Sequence, residues 1–121
     1  MLESALMGKS VARRMTKKQP DLLLYKGVDC VSALKALGED NRVRIIGLLM
    51  DAPLGVCEIA HRLGLEHYNV SRHLRILREA GLLDVEKQGR ERLYVVPEKI
   101  RRSRAHRRVL DLGCCSFQFD Q

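Results

Sequence analysis

Four cysteines, Cys30, Cys57, Cys114 and Cys115, carry the thiol chemistry open to this chain, and two of them are neighbours in the closing stretch "RVLDLGCCSFQFDQ". Adjacent cysteines can hardly reach disulfide geometry with each other without strain, so a bond within the pair explains little. As thiolates they can hold a soft ion. Soft ligands select soft ions, and an ion that takes three sulfurs needs one more than a neighbouring pair can give. The pair supplies two donors. The third must be Cys57 or Cys30, from the same subunit or from another. Read singly, either Cys30 or Cys57 fits a small buried apolar residue as well as it fits a ligand. The other use of such thiols is oxidation, reported by a disulfide between distant cysteines. No Cys-x-x-Cys spacing occurs, which argues against a zinc ribbon or finger.

The second chemical resource is cationic. In "EHYNVSRHLRILREAGL" the residues Val70, Leu74 and Leu77 recur at helical spacing. Opposite them stand Tyr68, Ser71, Arg72 and Arg75, with His67 and Asn69 in the first turn. Arginine reads guanine bidentately, and serine and asparagine bond base edges or phosphates. Lys87, Arg90 and Arg92 follow in a hairpin pattern and can reach neighbouring phosphates. A solvated helix face is the ordinary alternative, and the hairpin beside the helix weighs against it. Residues 67–108 hold twelve Lys/Arg against five Asp/Glu, within a chain of formal net charge +7. Such a segment suits a polyanionic partner. No paired carboxylates, phosphate loop or Cys/His nucleophile stands out, and the four histidines have no evident partners, so an enzyme is not expected.

These residues need elements to position them. "GVDCVSALKALGEDNR" repeats Val28, Val31, Leu34 and Leu37 at helical spacing, with Gly38 as C-cap. Asp40 then suits the cap of a second helix, with Val43, Ile46, Leu49 and Met50 inward and Pro53 at its end. "VCEIAHRLGL" reads as a short third helix with Val56, Ile59, Ala60 and Leu63 on its apolar stripe, stopped by Gly64. The arginine-bearing helix follows at once and ends at Gly81. Leu83–Lys87 and Arg92–Val96 alternate around Gly89-Arg90, a two-stranded hairpin. Pro97 and Glu98 suit the first turn of a last helix, "PEKIRRSRAHRRVLDL". A helix-turn-helix followed by a basic hairpin defines a mainly α fold, the winged helix-turn-helix.

The stretches "ALGEDNRVRIIGLL", "NVSRHLRILREAGLL" and "KQGRERLYVV" resemble the arsenical-repressor (ArsR/SmtB) family of winged-helix metal sensors, over roughly residues 28–112. The resemblance implies a homodimeric repressor on double-stranded operator DNA. Arsenite, antimonite or another soft metal ion on cysteine thiolates would release it as inducer. Carried over by position, recognition falls on His67, Tyr68, Ser71 and Arg72, and the first and last helices form the dimer interface. The family's arsenic and cadmium sensors carry Cys-Val-Cys at the start of the third helix. Here that stretch is Gly55-Val56-Cys57, which ranks Cys57 above Cys30 as third ligand to Cys114 and Cys115. His106 has no second histidine downstream, which argues against a zinc or nickel site on the last helix.

At 121 residues and 45% hydrophobic the chain is long enough for one modest domain. It divides into a basic arm over 1–26, the winged helix over 27–113 and a cysteine-bearing tail over 114–121. No apolar run has the length of a membrane span, and the first residues lack signal-peptide order. A cytoplasmic protein with thiols reduced at rest is the expectation. Two other functions fit the same residues: a thiol-redox or persulfide-sensing repressor, and a winged helix that contacts protein.

Overall fold

The computed structural model describes residues 24–25, 28–104 and 107–119. The basic arm ahead of residue 24 and His106 lie outside them. In chain order the elements are β1 (Leu24–Tyr25), β2 (Val28–Asp29), α1 (Cys30–Leu37), α2 (Asp40–Leu49), α3 (Val56–Leu63), α4 (His67–Glu79), β3 (Asp84–Gln88) and β4 (Glu91–Val95). A single 3-10 turn (Glu98–Ile100) leads into β5 (Arg101–Arg104), β6 (Arg107–Asp111) and β7 (Ser116–Phe119). Up to Val95 this is the expected winged helix-turn-helix.

Two local starts differ from expectation. Val28 sits in β2, paired with Tyr25, and is fully buried there. Helix α1 begins at Cys30, because the Asp29 carboxylate accepts from the Val31 N–H and the Ser32 hydroxyl. The inward face of α1 is Ala33, Ala36 and Leu37, which leaves Val31 and Leu34 at 50% and 46% exposure. Helix α2 is capped by Glu39 rather than Asp40, its side chain accepting from the Arg42 N–H. Val43 stays 39% exposed, and Ile45 takes the inward place beside Ile46 and Leu49.

Helix α1 packs on α2 and α4, and α2, α3 and α4 pack on one another. Ile45, Ile46, Ile59, Val70, Leu74 and Leu77 lie at their junction, each fully buried. Each such side chain contributes about 1.5–3 kcal/mol relative to exposure.

The last helix is not formed, which corrects the reading of residues 97–112. Pro97 precedes one 3-10 turn, and β5, β6 and β7 make an antiparallel three-stranded sheet in that order. A helix here would stack arginines three and four positions apart, such as 101 with 104 and 104 with 108, and like charges at that spacing are unfavourable. The apolar residues also carry the strand period. Leu110 and Leu112 are two apart and fully buried, and Phe117 and Phe119 alternate with exposed Ser116 and Gln118. Ile100, Leu110 and Leu112 are therefore spent on the chain's own core rather than on a dimer contact.

Beyond the turn, Ser116–Phe119 form β7, which pairs with β6. The connecting turn places Gly113 at φ +94°. Its N–H donates to the Asp111 carboxylate at 2.9 Å, and the Leu112 N–H donates to the Cys115 carbonyl at 2.9 Å. Two contacts fasten this sheet to α2. Arg108 donates to the Gly47 carbonyl at 2.9 Å and to the Asp51 carboxylate at 3.0 Å. Phe119 lies over Gly47, where a Cβ would stand 3.5 Å from its ring.

Candidate DNA interface and thiol cluster

Gly64 makes the turn between α3 and α4. It adopts the left-handed conformation, φ +67°, and its N–H closes α3 on the Ala60 carbonyl. Arg44, reaching from α2, donates to the Leu63 carbonyl at 3.3 Å, so a cation also faces the negative end of α3. Tertiary contact thus fixes the angle at which α4 leaves the turn.

On α4, Val70, Leu74 and Leu77 are fully buried, and the opposite face is open. His67, Arg72 and Arg75 are exposed, Tyr68 is 71% exposed, and Asn69 and Ser71 are half-buried. The wing extends this surface. Strands β3 and β4 pair from Asp84↔Val95 to Gln88↔Glu91 around Gly89 and Arg90, and Lys87, Arg90 and Arg92 are exposed. Leu54, just ahead of α3, exchanges backbone hydrogen bonds with Tyr94 of β4 at 3.2 and 2.8 Å. The wing is thereby stitched to the helix-turn-helix. Between them lies a cleft of about 700 Å³, lined by Cys57, Glu58, Arg62, Arg90 and Arg92 among others. Arg62 pairs with Glu58 at 2.7 Å and holds that carboxyl below its usual range. Both side chains are half-exposed, so the pair adds little stability.

His73 corrects the expectation that the histidines lack partners. It follows Val70 by three and precedes Leu77 by four, an inward position, and only 6% of it is exposed. Its Nδ1 accepts from Arg42 Nη1 at 3.2 Å, which requires a neutral ring with its proton on Nε2. Arg42 Nε donates to the Ala36 carbonyl at the end of α1. One guanidinium therefore joins α1, α2 and α4. Burial pushes the His73 pKa down, Glu39 opposes that, and the Arg42 and Arg72 charges add to it. Glu39 is itself held low: burial opposes ionisation, but the backbone N–H groups of Arg42 and Asn41 and the His73 and Arg42 charges together outweigh it.

The cysteines fall into two places. Cys114 is disulfide-bonded to Cys30, the first residue of α1, across 84 positions of sequence and a Cα–Cα separation of 6.5 Å. The expectation of four resting thiols is corrected accordingly. Cys115 keeps its thiol, half-buried against the core, with its Sγ 3.9 Å from that of Cys114. Cys57 is exposed in the first turn of α3, in the cleft under the wing. The structure brings Cys30 to the vicinal pair, not Cys57, the reverse of the ranking by family position. Among the described residues no three His, Cys, Asp or Glu side chains form a ready-made ion site, and the Cys30–Cys114 bond occupies two of the three clustered sulfurs.

A helix-turn-helix with a stitched wing and an open basic face defines a DNA-binding regulator of the winged-helix class. The sequence model described as bacterial regulatory protein, arsR family, matches residues 39–85. The HTH-type transcriptional regulator NmtR of Mycobacterium tuberculosis is 34% identical over 88 residues, covering 73% of this chain and 72% of that protein. The cadmium resistance transcriptional regulatory protein CadC homolog of Staphylococcus aureus is 28% identical over 87 residues, 71% of this chain and 72% of that one. Among solved structures, HlyU from Vibrio cholerae superposes with a TM-score of 0.54 at 33% identity, covering 57% of this chain and 75% of its own. The homodimeric winged helix-turn-helix domain of a possible ArsR-family regulator from Mycobacterium bovis also gives 0.54, at 27% identity, over 55% and 62%. The chain belongs to the ArsR family of bacterial transcription regulators, a family of DNA-binding proteins and not of enzymes. No helix among the described residues is long and apolar enough to cross a membrane.

Proposed function

We propose that this chain is a cytoplasmic homodimeric repressor that binds a two-fold symmetric operator and leaves it when its clustered thiols take a thiophilic ligand. The observation that carries the reading is the exposed set His67, Tyr68, Arg72 and Arg75 on α4, with Ser71 half-buried among them, continued by the exposed Lys87, Arg90 and Arg92 on the wing. Two α4 helices would enter successive major grooves about 34 Å apart, and the wings would lie along flanking phosphates. The exposed Val31 and Leu34 of α1 supply an apolar face for the second copy. Arsenite or antimonite suits the sulfur donors as inducer, and other soft ions share that chemistry.

The Cys30–Cys114 bond favours a second reading, in which oxidation of these thiols is the signal. The test is selection of duplexes from a random library, followed by anisotropy titration across salt concentrations. A symmetric site bound with steep salt dependence, and released by arsenite or by peroxide, is the expected result. Absence of salt-dependent DNA binding would sink the reading in favour of a winged helix that contacts protein.

A further inference from the structure

Resting on the reading that this chain binds operator DNA, we infer that the paired strands β5 and β6 form a further phosphate-binding surface, separate from α4 and the wing. It takes the backbone of the duplex that flanks the operator. The residues that carry it are Arg102, Arg104 and Arg107.

Composition gives the first ground. From Arg101 to Arg108 five of eight residues are arginine and none is acidic. Across the residues of β5, β6 and β7 the one carboxylate is Asp111. Register then sorts the arginines into two sets. Opposite residues of an antiparallel pair share a face, and so do alternate residues along a strand. Arg101 stands opposite Leu110 and Ser103 opposite Arg108, on the face that also holds Phe117 and Phe119 and packs on the core. Arg108 is engaged there, donating to the Gly47 carbonyl and the Asp51 carboxylate. Arg102, Arg104 and Arg107 belong to the other face, together with Val109 and the exposed Ser116 and Gln118.

The second ground is energetic. Arg104 is directly opposite Arg107, and like charges at opposite positions destabilise a strand pair. Asp111 lies at the other end of this face, 3.8 Å from Arg102, with both side chains partly exposed. An ion pair of that kind holds a guanidinium only weakly. A phosphate set against this face turns the repulsion into attraction, and each arginine offers it two parallel N–H donors.

The third ground is position. Arg108 ties the strand pair to Asp51, three residues before Leu54, and Leu54 exchanges backbone hydrogen bonds with Tyr94 of the wing. The arginine-rich end therefore stands beside the end of α2 and the base of the wing. A duplex that lies along the wing can continue past it. Contacts made there are to phosphates, so they add affinity without adding sequence preference.

The experiment compares two duplexes. One is a short site selected from a random library. The other is that site extended at both ends by about ten base pairs of arbitrary sequence, one helical turn. Wild type should bind the extended duplex about tenfold more tightly at low salt. Its salt slope should be steeper by about two to four per dimer, at about 0.9 for each phosphate neutralised. Arg104→Gln/Arg107→Gln should lose that gain and bind the short site like wild type. Arg104→Lys/Arg107→Lys should keep most of it, because charge supplies it. Equal affinity of wild type for the two duplexes would overturn the inference whatever the variants do. So would a gain that survives in the Gln protein, or one lost as fully in the Lys protein, which would make the two arginines structural. Poly(U) and phosphatidylserine vesicles are titrated in parallel. Binding to either that depends on these arginines, without a gain from flanking DNA, would assign the surface to RNA or to a membrane instead. A short site bound without any flank gain leaves the operator reading standing and ends this one, whereas a protein that binds no duplex ends both.

Discussion

Arg42 reaches from α2 to His73 on α4, the second helix of the helix-turn-helix, its Nη1 3.2 Å from the ring Nδ1. The bond needs an unprotonated acceptor. His73 has its pKa lowered on folding, by burial first, so the unfolded chain binds the proton more readily than the folded one. Stability therefore rises with pH through this group. Its contribution is complete above the ordinary histidine range and is lost as pH falls through the lowered value. A protonated ring would face Arg42 and Arg72, with Glu39 alone opposing them. Thermal unfolding from pH 8 to 5 should show Tm falling on the acid side, and His73→Leu should flatten that slope. An unchanged slope in His73→Leu would remove this histidine from the account.

Arg72 is exposed on the open face of α4. Arg72→Ala should cost about 1–3 kcal/mol of operator affinity and relax preference at one base position. Arg92→Ala on the wing should instead weaken all sequences alike and reduce the salt slope by about one. Anisotropy titrations on matched and scrambled duplexes separate the two outcomes.

Gly64 turns the chain from α3 into α4 at φ +67°, with open space where a Cβ would stand. Gly64→Ala should destabilise by about 1–2 kcal/mol through backbone conformation rather than collision, and Gly64→Asn by less. Urea unfolding gives both numbers.

Val31 and Leu34 present an apolar face on α1. The paired substitution Val31→Asp/Leu34→Asp should yield a monomer by sedimentation at micromolar concentration with the helical signal retained, and operator affinity should drop with it. A dimer that survives both charges would place the interface elsewhere.

The bond between Cys30 and Cys114 restrains the unfolded chain over 84 positions. Reduction should lower stability by about 2–4 kcal/mol, read from urea unfolding with and without dithiothreitol.

The helix-turn-helix and the wing are legible in the residues because their signals are local. Val70, Leu74 and Leu77 announce a helix face by spacing, Gly64 a stop, and Gly89-Arg90 a hairpin. The segment after Val96 is not legible as strands, because Pro97 and Glu98 suit a helix start while the opposing signal is the two-residue repeat of Leu110/Leu112 and Phe117/Phe119. Two short alternating runs around "GCC" spell a hairpin, but each is weak until paired. His73 is legible as an inward position, although charged neighbours mask it. Its partner was not legible, since Arg42 lies 31 residues away. The meeting of Cys30 with Cys114 depends on the whole fold between them, and no local pattern encodes it.

That same bond makes the chain a covalent ring. The surface proposed to read DNA, α4 and the wing, lies on the arc between positions 30 and 114. A protease that nicks an exposed loop on this arc, at Arg90 for instance, leaves the two pieces tied together. On a denaturing gel without reductant the nicked protein runs as one species. With reductant it separates into two.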